Sequence, residues 1–193
     1  DEYNSFRYSD YCFRVFMEAA KKEAYYNNTL FVFVGDHGVS GNAQAIYGDV
    51  WTVERLTDEH VPLLFYAPGR LAPQARTEVV SQIDVLPTIA SLTGHTYTNT
   101  TLGRDVISNK EDNSFAFIIH HDEGRIGMVT DQYYFTKNLN FKKEELHFFS
   151  APSYTPAQQD SIKTRMTSVT TAFYETAKWM LLNNKKAAVA ATP

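Results

Sequence analysis

Cysteine is almost absent: Cys12 stands alone among 193 residues, which rules out an internal disulfide and a thiolate-only metal site and leaves the redox compartment open. Long apolar runs are missing too. None approaches the roughly 18 residues that a membrane-spanning helix needs. No signal-peptide pattern opens the chain, which begins on Asp1-Glu2-Tyr3 without a Met and runs straight into helical spacing, as a piece of a longer protein would. Nor is there a block of positive charge. Lys142-Lys143 and Lys185-Lys186 are short pairs, and the net charge of -4 leaves no electrostatic footprint for nucleic acid or anionic lipid. Internal repeats and low-complexity linkers are also lacking. What is present is ordinary globular material, 44% hydrophobic and 21% charged, with twelve Tyr and thirteen Phe. A chain of this size buries about 70% of the surface its unfolded state exposes, enough for one domain with a core.

Hydrophobic spacing predicts the elements. Phe6, Phe13, Phe16, Met17, Ala20 and Ala24 recur near 3.6 residues, with Arg14, Glu18, Lys21 and Lys22 between them, an amphipathic helix that Asn27 and Asn28 stop. Thr29 to Val34 is a continuous apolar and β-branched run, as in a strand of a parallel sheet covered on both faces. Residues 38–60 carry three glycines without a clean period and read as a long functional loop. Val61 to Tyr66 is a second strand, at an edge or beginning at Pro62, and Asp84 to Thr93 a short helix with Asp84 as N-cap and Gly94 as stop. Three β-type runs follow, 114–120, 125–130 and 132–137, the last two forming an antiparallel hairpin. Ile162, Met166, Val169, Phe173, Ala177, Met180 and Leu181 mark one long helix from about Thr155, with Pro156 near its first position, and the Ala-rich tail from Ala187 reads as frayed. The expected fold is α/β: a helix-flanked, mostly parallel sheet with a small antiparallel hairpin and a long C-terminal helix. Residues 1–150 form the main part, and 151–193 a helix and tail packed on it.

The first strand ends in Gly35-Asp36-His37-Gly38. A carboxylate and an imidazole at the C-terminal edge of a sheet stand where open α/β sheets bind ligands. Both are good ligands for Zn²⁺ or Mn²⁺, and flanking glycines let the backbone turn them toward one ion. Two ligands are not a site, however, and on these four residues alone a strand-end turn is the better reading, with Asp36 capping backbone amides and His37 solvated. In His120-His121-Asp122-Glu123-Gly124-Arg125 the consecutive histidines of a strand would point to opposite faces, so a turn is preferred to a metal site. Asn27-Asn28-Thr29 and Asn99-Thr100-Thr101 fit the glycosylation pattern and carry little weight alone.

The order "YYNNTLFVFVGDHG", "HVPLLFYAPG", "VSQIDVLPTIASLTG" and "TLGRDV" resembles the C-terminal half of the catalytic domain of the alkaline phosphatase superfamily, from about Tyr3 to about Lys137. Within it, the sulfatase-like branch of lipoteichoic acid synthases and phosphoethanolamine transferases is the nearest. The resemblance implies that Asp36 and His37 ligate one catalytic divalent metal ion, Mn²⁺ or Zn²⁺ before Ca²⁺ or Mg²⁺. It also implies an antiparallel strand at "HVPLL" that brings His60 to the same edge, where it would hydrogen-bond a phosphate oxygen; an exposed loop histidine explains His60 equally well. For Asn42 and Gln44 exposed loop residues are the preferred reading, and for Arg104 and Asp105 a structural ion pair.

In the family the nucleophile and an acidic metal ligand lie upstream. Neither has a counterpart in the 35 residues before Asp36, and Cys12 in "YCFRV" does not fit the C-x-P-S-R pattern of formylglycine sulfatases. No catalytic nucleophile is therefore assigned to this chain, which alone is expected to be inactive and, as a cut sheet, prone to self-association. For the intact protein the resemblance implies a metal-dependent phosphotransferase or hydrolase acting on an anionic phosphate ester of an envelope glycolipid or glycan, anchored in the membrane with this domain outside it. A sulfuric ester hydrolase and a non-catalytic degenerate module are the alternatives.

Overall fold

The computed structural model describes residues 2–108 and 114–183. In chain order the elements are α1 (Glu2–Ala20), β1 (Phe31–Val34), α2 (Gln44–Tyr47), α3 (Asp49–Val53), α4 (Leu56–Glu59), β2 (Leu63–Tyr66), α5 (Val85–Leu92), β3 (Ala116–His120), β4 (Arg125–Val129), β5 (Tyr133–Asn138), β6 (Glu144–Phe148) and α6 (Pro156–Asn183), with single 3₁₀ turns at Tyr26–Asn28 and Gln82–Asp84. The chain divides into two compact units. The first holds Asp1–Gly38 and His60–Arg76, the second Val39–Glu59 and Thr77–Pro193.

In the first unit β1 and β2 form a two-stranded antiparallel ribbon with Phe31 opposite Tyr66 and Val34 opposite Leu63. Alternation puts Phe31 and Phe33 on one face, where the rings of Phe13 and Phe16 from α1 meet them edge-on. Ala20, Tyr26 and Phe31 are buried at the centre, flanked by Met17, Phe33 and Tyr66, and the Tyr26 and Tyr66 hydroxyls share a hydrogen bond of 2.7 Å. The helix stops at Ala20 rather than Ala24, because the amides of Lys22 and Glu23 turn back to Ala19 and Ala20 and tighten the last turn.

The expected parallel sheet is corrected: among the described residues every strand pairing is antiparallel. The run Phe31-Val32-Phe33-Val34 misleads because all four side chains are apolar and hide a one-sided strand. Val34, on the face away from α1, is 45% exposed. The expected loop at residues 38–60 is corrected as well, since it contains the three short helices α2, α3 and α4, each too short to show a period.

The second unit is built on the sheet β3-β4-β5-β6, a meander joined by tight turns. The expected hairpin is its β4–β5 step; β6 went unread because Glu144-Glu145-Leu146-His147-Phe148 has only two apolar residues. One face places Met128 and Phe135 against Met166 of α6, with Phe117, Leu146, Ile162 and Phe173 around them. The other sets Ile118 and Tyr134 against Leu56, Val50 and Trp51. Each such apolar side chain, fully buried, contributes about 1.5–3 kcal/mol. Past Ala177 the helix pattern runs beyond this core, and Leu181 and Leu182 are exposed. The tail from Ala187 and the Lys185-Lys186 pair lie outside the described residues.

Gly127 and Gly103 are required by close approach. A Cβ at Gly127 would fall 2.6 Å from the Tyr134 ring and 2.8 Å from the Phe135 carbonyl oxygen, and one at Gly103 only 2.0 Å from the Ile83 carbonyl oxygen. Backbone cannot rotate aside as a flexible side chain does, so Gly103→Ala is expected to cost about 1–3 kcal/mol or more. The midpoint of denaturant unfolding measures it; a loss below about 0.5 kcal/mol would show that the segment relaxes freely.

Candidate functional site

The ribbon of the first unit positions the Asp-His pair. Beyond Val34 the ladder continues for one more bond, from the Gly35 amide to the Pro62 carbonyl at 3.1 Å. A Cβ at Gly35 would lie 2.8 Å from the Val61 Cβ, so the two chains can run this close only without a side chain there. Continuing the register from Val34 opposite Leu63 and Gly35 opposite Pro62 brings the segment Asp36-His37 to the end of the ribbon where Val61 and His60 stand. The three candidate residues are thus gathered at one end of one unit. All three are exposed, Asp36 at 90% and His37 at 77% of their side chains.

The pair is locally organised. Asp36 Oδ1 accepts the His37 backbone N–H at 3.0 Å, and this bond first, with the Asp36 amide and the imidazole behind it, holds the Asp36 carboxyl below the usual carboxylate range. His37 Nδ1 lies 2.8 Å from the Gly38 carbonyl oxygen. A carbonyl only accepts, so Nδ1 carries the proton and Nε2 of the neutral ring carries the lone pair. That Nε2 stands 3.7 Å from Asp36 Oδ2.

These features fit a metal. Two ligand atoms about 2.1 Å from a tetrahedral Zn²⁺ lie roughly 3.4 Å apart, so a shift of a few tenths of an ångström would bring both onto one ion. A ring N–H given to a backbone carbonyl is the support that metal-bound histidines use. The pair is nonetheless only part of a ligand set: among the described residues no group of three or more His, Cys, Asp or Glu could hold an ion.

Other singled-out residues take structural places. Asn42 Oδ1 accepts the Gln44 amide at 3.0 Å and opens α2. His120, on β3, is buried, and His121 is exposed in the turn before β4, as expected for "HHDEGR". The expected Arg104–Asp105 pair is corrected. Arg104 Nη2 donates to Asp84 Oδ2 at 3.0 Å, while Asp105 Oδ1 accepts the amides of Ile107 and Ser108. Neighbours in sequence diverge along an extended chain, and Arg104 reaches back twenty residues. Asp84 holds the N-cap position of α5, as expected, but its side chain does not cap that helix; it closes a capping box with Ser81 one turn earlier. A further polar cluster escaped the sequence reading: His120, Arg125 and His147 meet Glu54 and Glu59, which only the sheet register brings together.

Residues 1–95 match the sulfatase family. The stretch includes α1, the ribbon and all three candidate residues. The lipoteichoic acid synthase-like protein YvgJ of Bacillus subtilis is 28% identical over 148 residues, 72% of this chain and 23% of that protein. Lipoteichoic acid synthase 1 of the same organism is 30% identical over 120 residues, 58% of this chain and 18% of that protein. The chain therefore spans less than a quarter of the curated relatives' length. Among solved structures, BT1596, a 2-O GAG sulfatase, superimposes with a TM-score of 0.51 at 18% identity, over 84% of this chain and 39% of that one, which shows the fold. The resemblance to the sulfatase-like branch of the alkaline phosphatase superfamily rests on these matches as well as on the motifs.

Proposed function

We propose that Asp36 and His37 are two ligands of a divalent ion, Mn²⁺ or Zn²⁺, in an intact enzyme that transfers or hydrolyses an anionic phosphate ester of an envelope glycolipid or glycan. The observation that carries this reading is the pair itself: Asp36 Oδ2 and His37 Nε2 face each other at 3.7 Å, with the ring's other nitrogen bonded to Gly38. A bound ion would supply charge neutralisation on the transferring group and a lowered pKa for the attacking hydroxyl. The chain's own residues prepare that site. The His37 amide keeps Asp36 charged and fixes one of its oxygens, the Gly38 carbonyl fixes the imidazole tautomer, and His60, at the same end of the ribbon, would donate to a phosphate oxygen.

An imidazole at position 37 favours Mn²⁺ or Zn²⁺ over Ca²⁺, which takes oxygen donors, and the relatives named for lipoteichoic acid synthesis favour phosphoryl over sulfuryl transfer. A sulfuric ester hydrolase is the second reading, favoured by the family match and the fold shared with a 2-O GAG sulfatase. With two metal donors and no nucleophile assigned, the chain alone is proposed to be inactive. Among the described residues no helix is long and apolar enough to cross a membrane, so a membrane anchor and an extracytoplasmic location are proposed from the relatives alone.

The test is turnover by the intact protein on matched aryl phosphate and aryl sulfate esters, before and after chelation with EDTA and refilling with Mn²⁺. Phosphate-ester turnover that chelation removes and Mn²⁺ restores is expected, at least about 100-fold above sulfate-ester turnover. A preference for sulfate would establish the second reading, and no turnover on either ester would leave a non-catalytic module.

A further inference from the structure

The second unit holds a partly buried ionisable cluster that plays no part in the Asp36–His37 site. Strand alternation and register place His120 on β3, Arg125 on β4, Tyr134 on β5 and His147 on β6 on one sheet face, the face that Ile118 and Tyr134 pack against Leu56, Val50 and Trp51. From the helical segment 49–59 come the countercharges. Glu54 receives Arg125 Nη1 and stands 3.5 Å from His147 Nε2. Glu59 stands 3.7 Å from His120 Nδ1. Glu123, in the β3–β4 turn, pairs with Arg125 Nε at 2.8 Å and with Arg55 at 3.7 Å, and Arg55 also holds Asp58. The segment is thus tied to the sheet by charge as well as by apolar contact.

His120 is the weak member of this clasp. Its side chain is 7% exposed, and it lies opposite Arg125 in register. Its Nε2 is buried with no hydrogen-bond partner, as is the Tyr134 hydroxyl. An imidazolium has two N–H groups to satisfy. Here one would find no acceptor and the other only Glu59, beyond hydrogen-bond length, with a guanidinium alongside. Burial first and Arg125 second hold the ring below its ordinary pKa, outweighing the pull of Glu59 and Glu123. The folded clasp therefore prefers neutral His120. Its contribution is complete above about pH 6.5, the ordinary imidazole value, and is lost as pH falls from there toward the lowered folded value.

We propose that His120 is an acid-operated release for residues 49–59: protonating it detaches this segment from the sheet, while the sheet and α6 stay joined through their opposite, apolar face. Segment 49–59 continues directly into His60 and reaches back to Gly38 through residues 39–48.

Hydrogen exchange of the intact protein at pH 7.5 and 5.0, corrected for the intrinsic pH dependence of exchange, tests the proposal. Protection of peptides covering residues 49–59 is expected to fall below about pH 6.5, by at most about tenfold per pH unit for one proton, while residues 125–138 keep theirs. His120→Gln should remove the response, and Glu59→Gln, which deletes the carboxylate that favours the protonated ring, should leave the onset near pH 6.5 but carry the loss further, to lower pH. Unchanged protection, joint loss in both regions, or the same response in His120→Gln overturns the proposal. Should His120→Gln fail to fold, a loss in Glu59→Gln that levels off at the same pH and the same size as in the unaltered protein overturns it.

Discussion

Asp36→Ala in the intact protein will lower metal-dependent turnover by about 10²–10³-fold while leaving its unfolding midpoint where it was. A ligand that helps hold a Lewis acid commands several kcal/mol of transition-state stabilisation, and each 1.36 kcal/mol is a factor of ten. Against this, the Asp36 side chain is 90% exposed and one of its oxygens is bonded to the adjacent amide, so its removal should leave stability little changed. His37→Ala should act in the same way. Metal content, read by mass spectrometry of the purified protein, should fall in both variants. His37→Gln is the sharper probe: its amide oxygen could reach an ion, yet the variant lacks the imidazole nitrogen that favours Zn²⁺ and Mn²⁺, so it should lose those ions before Ca²⁺. Full activity and full metal content in both alanine variants would remove the metal-centre reading altogether.

What could be read from the sequence divides along physical lines. Elements with many residues and a sustained period announce themselves: α1 through Phe13, Phe16, Met17 and Ala20, and α6 through Ile162, Met166 and Phe173. Asp36 and His37 stood out because a charged pair between glycines at the end of an apolar run has few local explanations. Strand direction, by contrast, depends on which segment lies alongside. Phe31-Val32-Phe33-Val34 has apolar side chains on both faces, so no alternation revealed that α1 covers one of them. The helices of residues 44–59 are four or five residues long, about one turn each, too short for a period to register. The ion clusters were illegible for a different reason. Glu54 and Arg125 are 71 positions apart, and only the completed sheet makes them neighbours.

Arg104→Leu is the stability experiment with the largest expected loss, about 3–5 kcal/mol. Asp84 is 1% exposed. Its carboxylate accepts the Ser81 amide at 2.9 Å, the Arg104 amide at 2.7 Å and the Arg104 guanidinium at 3.0 Å. The same guanidinium donates to the Phe115 carbonyl at 2.8 Å and lies 4.2 Å from the centre of the Phe115 ring. Leucine would keep the volume and both backbone bonds but leave a buried carboxylate without its cation, the costly case for ion pairs. The paired variant Asp84→Asn with Arg104→Leu should recover part of the loss, because the orphaned charge is gone. A double-mutant cycle in denaturant would return that coupling. A single-variant cost under about 1 kcal/mol, typical of a surface pair, would show that solvent reaches the carboxylate and that the burial argument is wrong. A large coupling would reassign two of the four motifs behind the family resemblance. Asp84 belongs to "VSQIDVLPTIASLTG" and Arg104 to "TLGRDV", so these stretches would owe their residue types to each other, through a bond that fastens α5 and the chain after it. The chemistry proposed for this chain would then rest on the other two motifs, whose strands form the ribbon ending at Asp36, His37 and His60.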